Sequence, residues 1–408
     1  MKKLLTLTAI GGLLVANNLQ AATYSIYVAG STAFRAIAFR AIKNGFDGGN
    51  PTINPSNAGT GTGLLTFSGT MTNLFGVGNT VVVYCDYNGS VQGLGDLAGN
   101  TSLNFTNATS GGGNVSHAPT ITFCDVDHTA TLYPNVAVTE TPVAVLPFVY
   151  CRNYYAPTTL TNVTSHELVE LWTDGNLPLS FFTGNTNDAS KNLYVTGRDL
   201  DSGTRVCASA DSSYIDTSTT PYLWGFNTTA PTTWALLNQN IFGSTYGYGY
   251  SSGGNEAAAL TNQNAKVSGV GVGCIGYLGL SDALTVAGSA STGSPVLNGG
   301  GNCSIIAYNG VLPFNSYTNN TVPAKPDFTP IIQGQYSFWS YENLEMLNSG
   351  APTGTYNYYT NLVSAIDNDI LQAENLNGND ATQGPVTAVR LSEMKVNRSS
   401  VGGTIAPN

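Results

Sequence analysis

Residues 194–205 read YVTGRDLDSGTR. A short apolar run closes at Gly197, Arg198 follows, and Ser202-Gly203-Thr204 opens a stretch patterned as a helix. A strand that ends in such a cluster and turns into a helix can hold a tetrahedral oxyanion. The first N–H groups of the helix have no intrahelical acceptor and sit at the positive end of its dipole. Ser202 and Thr204 add hydroxyl donors, and Gly203 lets the backbone come close. Arg198 adds a planar fork that matches two oxygens of one anion. A strand, a turn and a helix cap with no ligand would leave the same letters, so the rest of the chain must decide.

Outward from this segment the same grammar recurs. Tyr24 to Ala29 alternates as a strand, then Gly30-Ser31-Thr32 opens the helical run AFRAIAFRAI, residues 33–42. Arg35 and Arg40 fall in that run at a spacing that does not share a helix face, and both read as solvated surface charges. Val81 to Cys85 is a second strand, followed by Tyr87-Asn88-Gly89-Ser90, with a helix beginning near Leu94 to Leu97. Pro119 to Cys124 is a third strand, closing at Asp125. Val143 to Tyr150, Leu193 to Thr196, Val270 to Gly279, Ser304 to Tyr308 and Tyr336 to Tyr341 read as strands. His166 to Trp172, Asn255 to Leu260 and Tyr358 to Ala373 read as helices. Residues 99–118 read as a surface loop, 211–255 as irregular and aromatic-rich, and 285–302 as a Gly/Ser linker. Strands alternating with helices predict an α/β fold. In open α/β sheets ligands bind beyond the carboxyl ends of strands, where these polar clusters fall.

Composition limits the partners. The 408-residue chain has 9% charged and 42% apolar residues and a net charge of −10. That much apolar content argues against disorder, and the negative charge argues against nucleic acid or an anionic membrane. Lys2 and Lys3 precede the apolar run Leu4 to Ala16, which is too short to span a bilayer. Residues 1–21 therefore read as a cleaved signal peptide. No cysteine lies near the cleavage point, so no lipid anchor is expected, and the product should be periplasmic or secreted. Cysteines occur at 85, 124, 151, 207, 274 and 303, an even number that in an exported chain suggests disulfides. The sequence does not fix their pairing; Cys85–Cys124, Cys207–Cys274 and Cys151–Cys303 are the expected pairs, because each joins segments that the element order brings near.

Catalytic readings fail on order and completeness. Gly249-Tyr250-Ser251-Ser252-Gly253 matches a nucleophile elbow, yet His117, His128 and His166 all precede it, where a hydrolase needs a later histidine. His166-Glu167 lacks the second histidine of a zinc protease, and Asp199-Leu200-Asp201 lacks the later ligands of a calcium loop. No enzyme activity, cofactor or metal is expected.

The ordered series Gly30-Ser31-Thr32-Ala33, Tyr87-Asn88-Gly89-Ser90, Cys124-Asp125, Leu179 to Thr183, Arg198 to Thr204, Gly253-Gly254-Asn255-Glu256 and Gly273-Cys274-Ile275-Gly276-Tyr277 resembles the periplasmic phosphate-binding proteins of bacterial ABC transporters, within the type 2 periplasmic binding protein superfamily. The resemblance spans most of the mature chain. It implies a two-lobed fold, each lobe a sheet flanked by helices, with the ligand cleft between lobes. Lobe one would hold residues 22–145 plus 300–408 and lobe two 146–299, with Val143 to Tyr150 as the first crossing strand. It further implies that inorganic phosphate, or a similar tetrahedral oxyanion, is bound by Ser31, Thr32, Ala33, Ser90, Asp125, Arg198, Ser202, Gly203 and Thr204. Asp125 would accept a hydrogen bond from a protonated oxyanion, and an ABC permease would be the partner of a monomeric receptor. The Asn, Thr, Gly and Tyr content leaves a second class open, an extracellular structural or adhesive protein. A secreted hydrolase has no supporting constellation.

Overall fold

The computed structural model describes residues 21–214, 221–226, 234–237, 248–286, 303–315, 317–318, 325–375 and 386–408. Residues 1–20 of the expected signal peptide and most of the 285–302 linker lie outside the described residues. β1 (Thr23–Gly30) is buried from Ile26 onward and turns directly into α1 (Arg35–Gly45). β2 (Thr80–Asp86) leads into α2 (Ser90–Gly99), and β3 (Ile121–Cys124) ends at Asp125. β1 pairs parallel with β2 on one side and with β3 on the other. Strands flanked on both edges and covered by helices need apolar side chains on both faces, which is why Val81–Cys85 and Ile121–Cys124 are unbroken buried runs.

β4 (Val138–Asn153) is sixteen residues long and changes partners partway. Residues 138–147 pair antiparallel with β8 (Trp339–Leu347). Residues 148–152 pair with β6 (Gly273–Gly279), and residues 150–153 pair on the other edge with β7 (Cys303–Tyr308). The exchange falls at Pro147, which has no N–H to give a ladder. A second proline, Pro142, sits where the β8 register shifts between Glu342 and Asn343. The hydrogen-bonded order across the molecule is Asn176–Pro178, β5 (Asn192–Val195), β6, β4, β8, β3, β1, β2, Leu64–Gly69 and Thr52–Asn54. Two sets of strands thus share β4 rather than forming two unconnected sheets. β7 falls in the range 300–408, yet pairs with the far end of β4 and with Asn162–Val163.

The helices cover this sheet. α3 (Ser165–Asp174) starts with a capping box in which Thr164 and Glu167 satisfy each other's N–H groups. α4 (Gly203–Ser212) follows β5, α5 (Gly253–Thr261) precedes β6, and α6 (Leu280–Val286) leaves it at once. The long α7 (Thr355–Asn375) packs against α1. The mixed α/β class read from the sequence is the observed one, a large central sheet flanked by helices. The stretch 99–118 is more than a loop: Leu103–Phe105 and Val115–His117 form a hairpin. Phe105 and His117 pack on Tyr27 and Tyr84, with the His117 ring stacked on Tyr27 at 3.9 Å.

The expected disulfides are absent. All six cysteines are free and buried. β1 separates Cys85 from Cys124, because β2 and β3 flank it on opposite sides. Cys207 donates to the Trp339 carbonyl at 3.6 Å and Cys274 to the Ile275 carbonyl at 3.4 Å, so their thiols have other partners. Cys151 and Cys303 are neighbours on β4 and β7 and hydrogen bond as thiols, unlinked. Each cysteine serves as a small apolar filler in a close-packed core.

Candidate functional site

Because β1, β2 and β3 are parallel, Ser31, Ser90 and Asp125 leave the sheet along one edge. From the other set of strands, β5 delivers Thr196, Gly197 and Arg198, and Ser202 caps α4 by accepting from the Arg205 N–H at 3.3 Å. The two groups meet. The Val91 N–H donates to the Asp201 carbonyl at 3.1 Å. Gly203 lies so close to Asp125 that an added Cβ would stand 1.6 Å from its Oδ1 and 3.1 Å from Ser90 Cβ, so any larger residue would displace the Asp125 carboxyl. Thr204 Oγ1 donates to Asp125 Oδ2 at 3.4 Å, and the Ser90 hydroxyl also bonds Asp125. Asp125 Oδ1 is buried and has no hydrogen-bond partner among the described residues. The N–H groups of Gly203 and Thr204 likewise find no acceptor among them. Asp125, Ser90, Ser202, Gly203 and Thr204 are therefore brought together.

Arg198 is 2% exposed and fixed from several sides. Its Nε donates to the Tyr250 carbonyl and its Nη2 to the Ser251 carbonyl, each at 2.9 Å. Its own N–H donates to the Tyr277 hydroxyl at 3.0 Å. Nη1 faces the start of α5, where a Cβ on Gly253 would lie 3.5 Å from it and 2.1 Å from Asp282 Oδ2. Ser252 caps that helix through the Asn255 N–H at 3.2 Å, leaving the N–H groups of Gly253 and Gly254 without an acceptor among the described residues. Ser31 is buried beside Glu342 and takes the Phe34 N–H on its hydroxyl at 3.2 Å. Thr32 and Ala33 line the same turn, Ala33 against Gly279. Neither hydrogen bonds to Asp125, Arg198 or Ser202–Thr204 among the described residues.

Arg35 corrects the sequence reading. It is not a solvated surface charge: its guanidinium pairs with Asp282 at 2.9 Å. Side chains at the start of a helix point back toward its N-terminus, so Arg35 is aimed at the strand ends. Arg40 is buried and pairs with Asp369 at 3.0 Å, joining α1 to α7. Acidic groups also gather here that sequence reasoning missed. Burial raises the Asp125 carboxyl, while Ser90, Arg198 and Thr204 oppose the rise. Burial raises Asp282 too, against the pull of Arg35 and Arg198. Burial pushes Glu256 up to about 8 despite Arg198, and its Oε1 accepts the Tyr277 N–H at 2.9 Å. Burial lifts Glu342 well above the carboxylate range, and the nearby Asp125 adds to it. Asp201 rises to about 7 through burial and the charges of Asp199 and Asp96. The signal for Glu342 was present in the letters: a carboxylate inside the apolar strand WSYENLEML has to face something polar.

No family model matches the chain, and no curated protein matches it. Among solved structures it is similar to a phosphate ABC transporter protein of Clostridium perfringens with bound phosphate, at 12% identity and a TM-score of 0.46, covering 90% of this chain and 99% of that one. It is similar to an ABC-type phosphate transport receptor from Vibrio cholerae at 12% identity and a TM-score of 0.40, covering 83% and 93%. It is also similar to the CcmR regulatory domain of Synechocystis PCC6803 in complex with 2-PG, at 9% identity and a TM-score of 0.38, covering 84% and 98%.

Proposed function

We propose that this chain is an exported solute-binding protein that holds inorganic phosphate between two lobes and does no chemistry on it. The observation that carries the reading is Asp125 Oδ1. It is a buried, unpartnered acceptor set against the free N–H groups at the start of α4, with Arg198 in the same enclosure. Donors and one acceptor converging on a point suit an oxyanion that keeps a proton. Hydrogenphosphate has such a proton to give to Asp125; sulfate has none and would face an unrelieved carboxylate. Ser90, Ser202, Gly203 and Thr204 would bind the remaining oxygens, with Ser31, Thr32 and Ala33 contributing from the turn into α1. Arg198 and Arg35 would balance the anion. A buried Arg198 and a half-buried Arg35 among carboxylates favour a binding site over the adhesive reading, which gives such groups no task.

The lobes we propose meet at β4, with residues 22–145 on one side and 146–299 on the other. In this reading the chain would return to the first lobe at Ser337–Trp339, where β8 begins. The ABC permease of an inner membrane would be the partner. No helix among the described residues is long and apolar enough to cross a membrane. Native mass spectrometry of protein purified from phosphate-containing medium tests the reading. One phosphate per chain, removed by partial unfolding and restored on dialysis against phosphate but not sulfate, is the expected result. Uniformly ligand-free chains that take up neither anion contradict it.

A further inference from the structure

A second cluster lies beside the anion site, on the same β3 loop and on β8. His128, Glu140 and Glu345 each offer one ligand atom, and these atoms all lie within 4.8 Å of one another. Glu140 on β4 and Glu345 on β8 face each other across a paired register position. His128 Nδ1 approaches Glu140 Oε2 at 2.6 Å, and the His128 N–H holds the same oxygen at 3.0 Å. Glu345 is 0% exposed, and apart from its contact with the Glu140 carboxyl neither of its carboxylate oxygens has a hydrogen-bond partner among the described residues. The side chains of His128 and Glu140 are 23% and 22% exposed, which leaves a path from solvent.

We infer that His128, Glu140 and Glu345 form a binding site for one divalent transition-metal cation of the zinc class. One imidazole and two carboxylates supply three ligands and two negative charges, so a divalent ion neutralises a pair of carboxylates that would otherwise repel in a desolvated place. Imidazole with carboxylate suits zinc and its neighbours better than calcium or magnesium, which take all-oxygen sets. Tetrahedral bonds of about 2.0 Å separate ligand atoms by about 3.3 Å, so the His128–Glu140 contact would open slightly and Glu345 would move in. A water on the exposed side completes the set. Burial drives the Glu345 carboxyl upward, and Glu140 and Asp127 reinforce the rise. Asp127 itself is held by the Val401 N–H at 3.3 Å and by Thr129 Oγ1 at 3.3 Å. The competing occupant is a proton on Glu345. The ion would tie the loop after β3 to β4 and β8, three residues beyond Asp125, so it would brace the loop that carries the anion acceptor.

The test uses the untagged full chain, stripped with chelator and kept in phosphate-free buffer. Zinc is titrated by calorimetry, retained metal is counted after desalting, and cobalt is used as an optical probe. The site predicts one zinc per chain, a higher melting temperature with zinc, and visible cobalt bands of four-coordinate type. Glu345→Gln and His128→Asn each remove the cobalt bands. Each weakens zinc by more than the roughly 10–100-fold that losing an outer partner costs a metal site. Glu140→Gln, at a more exposed position, gives the same loss should a core variant fail to fold. Zinc that binds wild type no better than Glu345→Gln overturns the assignment. So does chelator-stripped Glu345→Gln that melts above wild type with no cobalt bands in either, because the site then holds a proton.

Discussion

Among single residues, the proposed anion site rests most on the close approach of Gly203 to Asp125. Alanine at a helix position ordinarily gains about 0.5–1 kcal/mol over glycine. Here the added methyl would fall 1.6 Å from Asp125 Oδ1, so the carboxyl must swing away and drop its Thr204 contact. Gly203→Ala should therefore lower the melting temperature and weaken phosphate at least tenfold, despite the better helix propensity. Calorimetry and a thermal melt on one preparation check it; an alanine variant as stable and as tight as wild type would show that the close approach has no role. Asp125→Asn changes the hydrogen-bond sense of the acceptor while keeping its shape. Its amide can donate to sulfate, so the ratio of sulfate to phosphate affinity should rise by more than phosphate affinity falls. Competition between the two anions measures that ratio directly, and an unchanged ratio would remove Asp125 from the selectivity account.

Among the elements, α5 and β6 are coupled by Glu256, which accepts the Tyr277 N–H from beneath the Arg198 site. Folded, this carboxyl keeps its proton to about 8, whereas its ordinary value is 4.5. Between those values the unfolded chain binds fewer protons than the folded one, so stability falls as pH rises and levels off above the upper value. A single such group gives a slope of roughly 1 kcal/mol per pH unit. Asp201, raised to about 7, and Asp86 and Asp369, each raised to about 6, act in the same direction over lower windows. Glu256→Gln should flatten the decline in ligand-free denaturation midpoints between pH 5 and 8, most clearly near the top of that range; an unaltered slope would refute it. The elements themselves were largely legible. Apolar runs at 81–85 and 143–150 marked buried strands, the run read at 270–279 is one from 273 onward, and Ser202-Gly203-Thr204 marked a helix start. Asp125 was read, and Glu342 left a signal as a carboxylate in an apolar strand, but Glu256 and Asp282 acquire meaning only from partners far along the chain. Arg35 was missed for the same reason: helix-face spacing says nothing of a side chain that reaches past the helix end. The cysteines misled because an even count in an exported chain points to disulfides, while packing made each of them core filler.

On the scale of the whole molecule, both sets of strands share β4, and side-chain and backbone bonds also join them beyond it. The Arg35–Asp282 pair and the Val91–Asp201 backbone bond join α1 and α2 to α6 and the α4 loop. If these close a cleft hinged at Pro147, phosphate should compact the protein in small-angle scattering. Arg35→Ala should then lessen that compaction and speed phosphate release, with the fold intact by circular dichroism. No compaction in wild type would rule out a hinged closure. Arg198, buried and held by Tyr250, Ser251 and Tyr277, is the charge we propose binds the anion. Removing the charged partner of a desolvated anion costs roughly 2–5 kcal/mol. Calorimetric titration of ligand-stripped wild type and Arg198→Ala with phosphate is the most direct test. The account predicts one phosphate per wild-type chain and a loss of at least 30-fold in the variant, the tenfold-per-1.4 kcal/mol equivalent of about 2 kcal/mol. Wild type that gives no heat with phosphate, or a variant that binds as tightly as wild type, would contradict it.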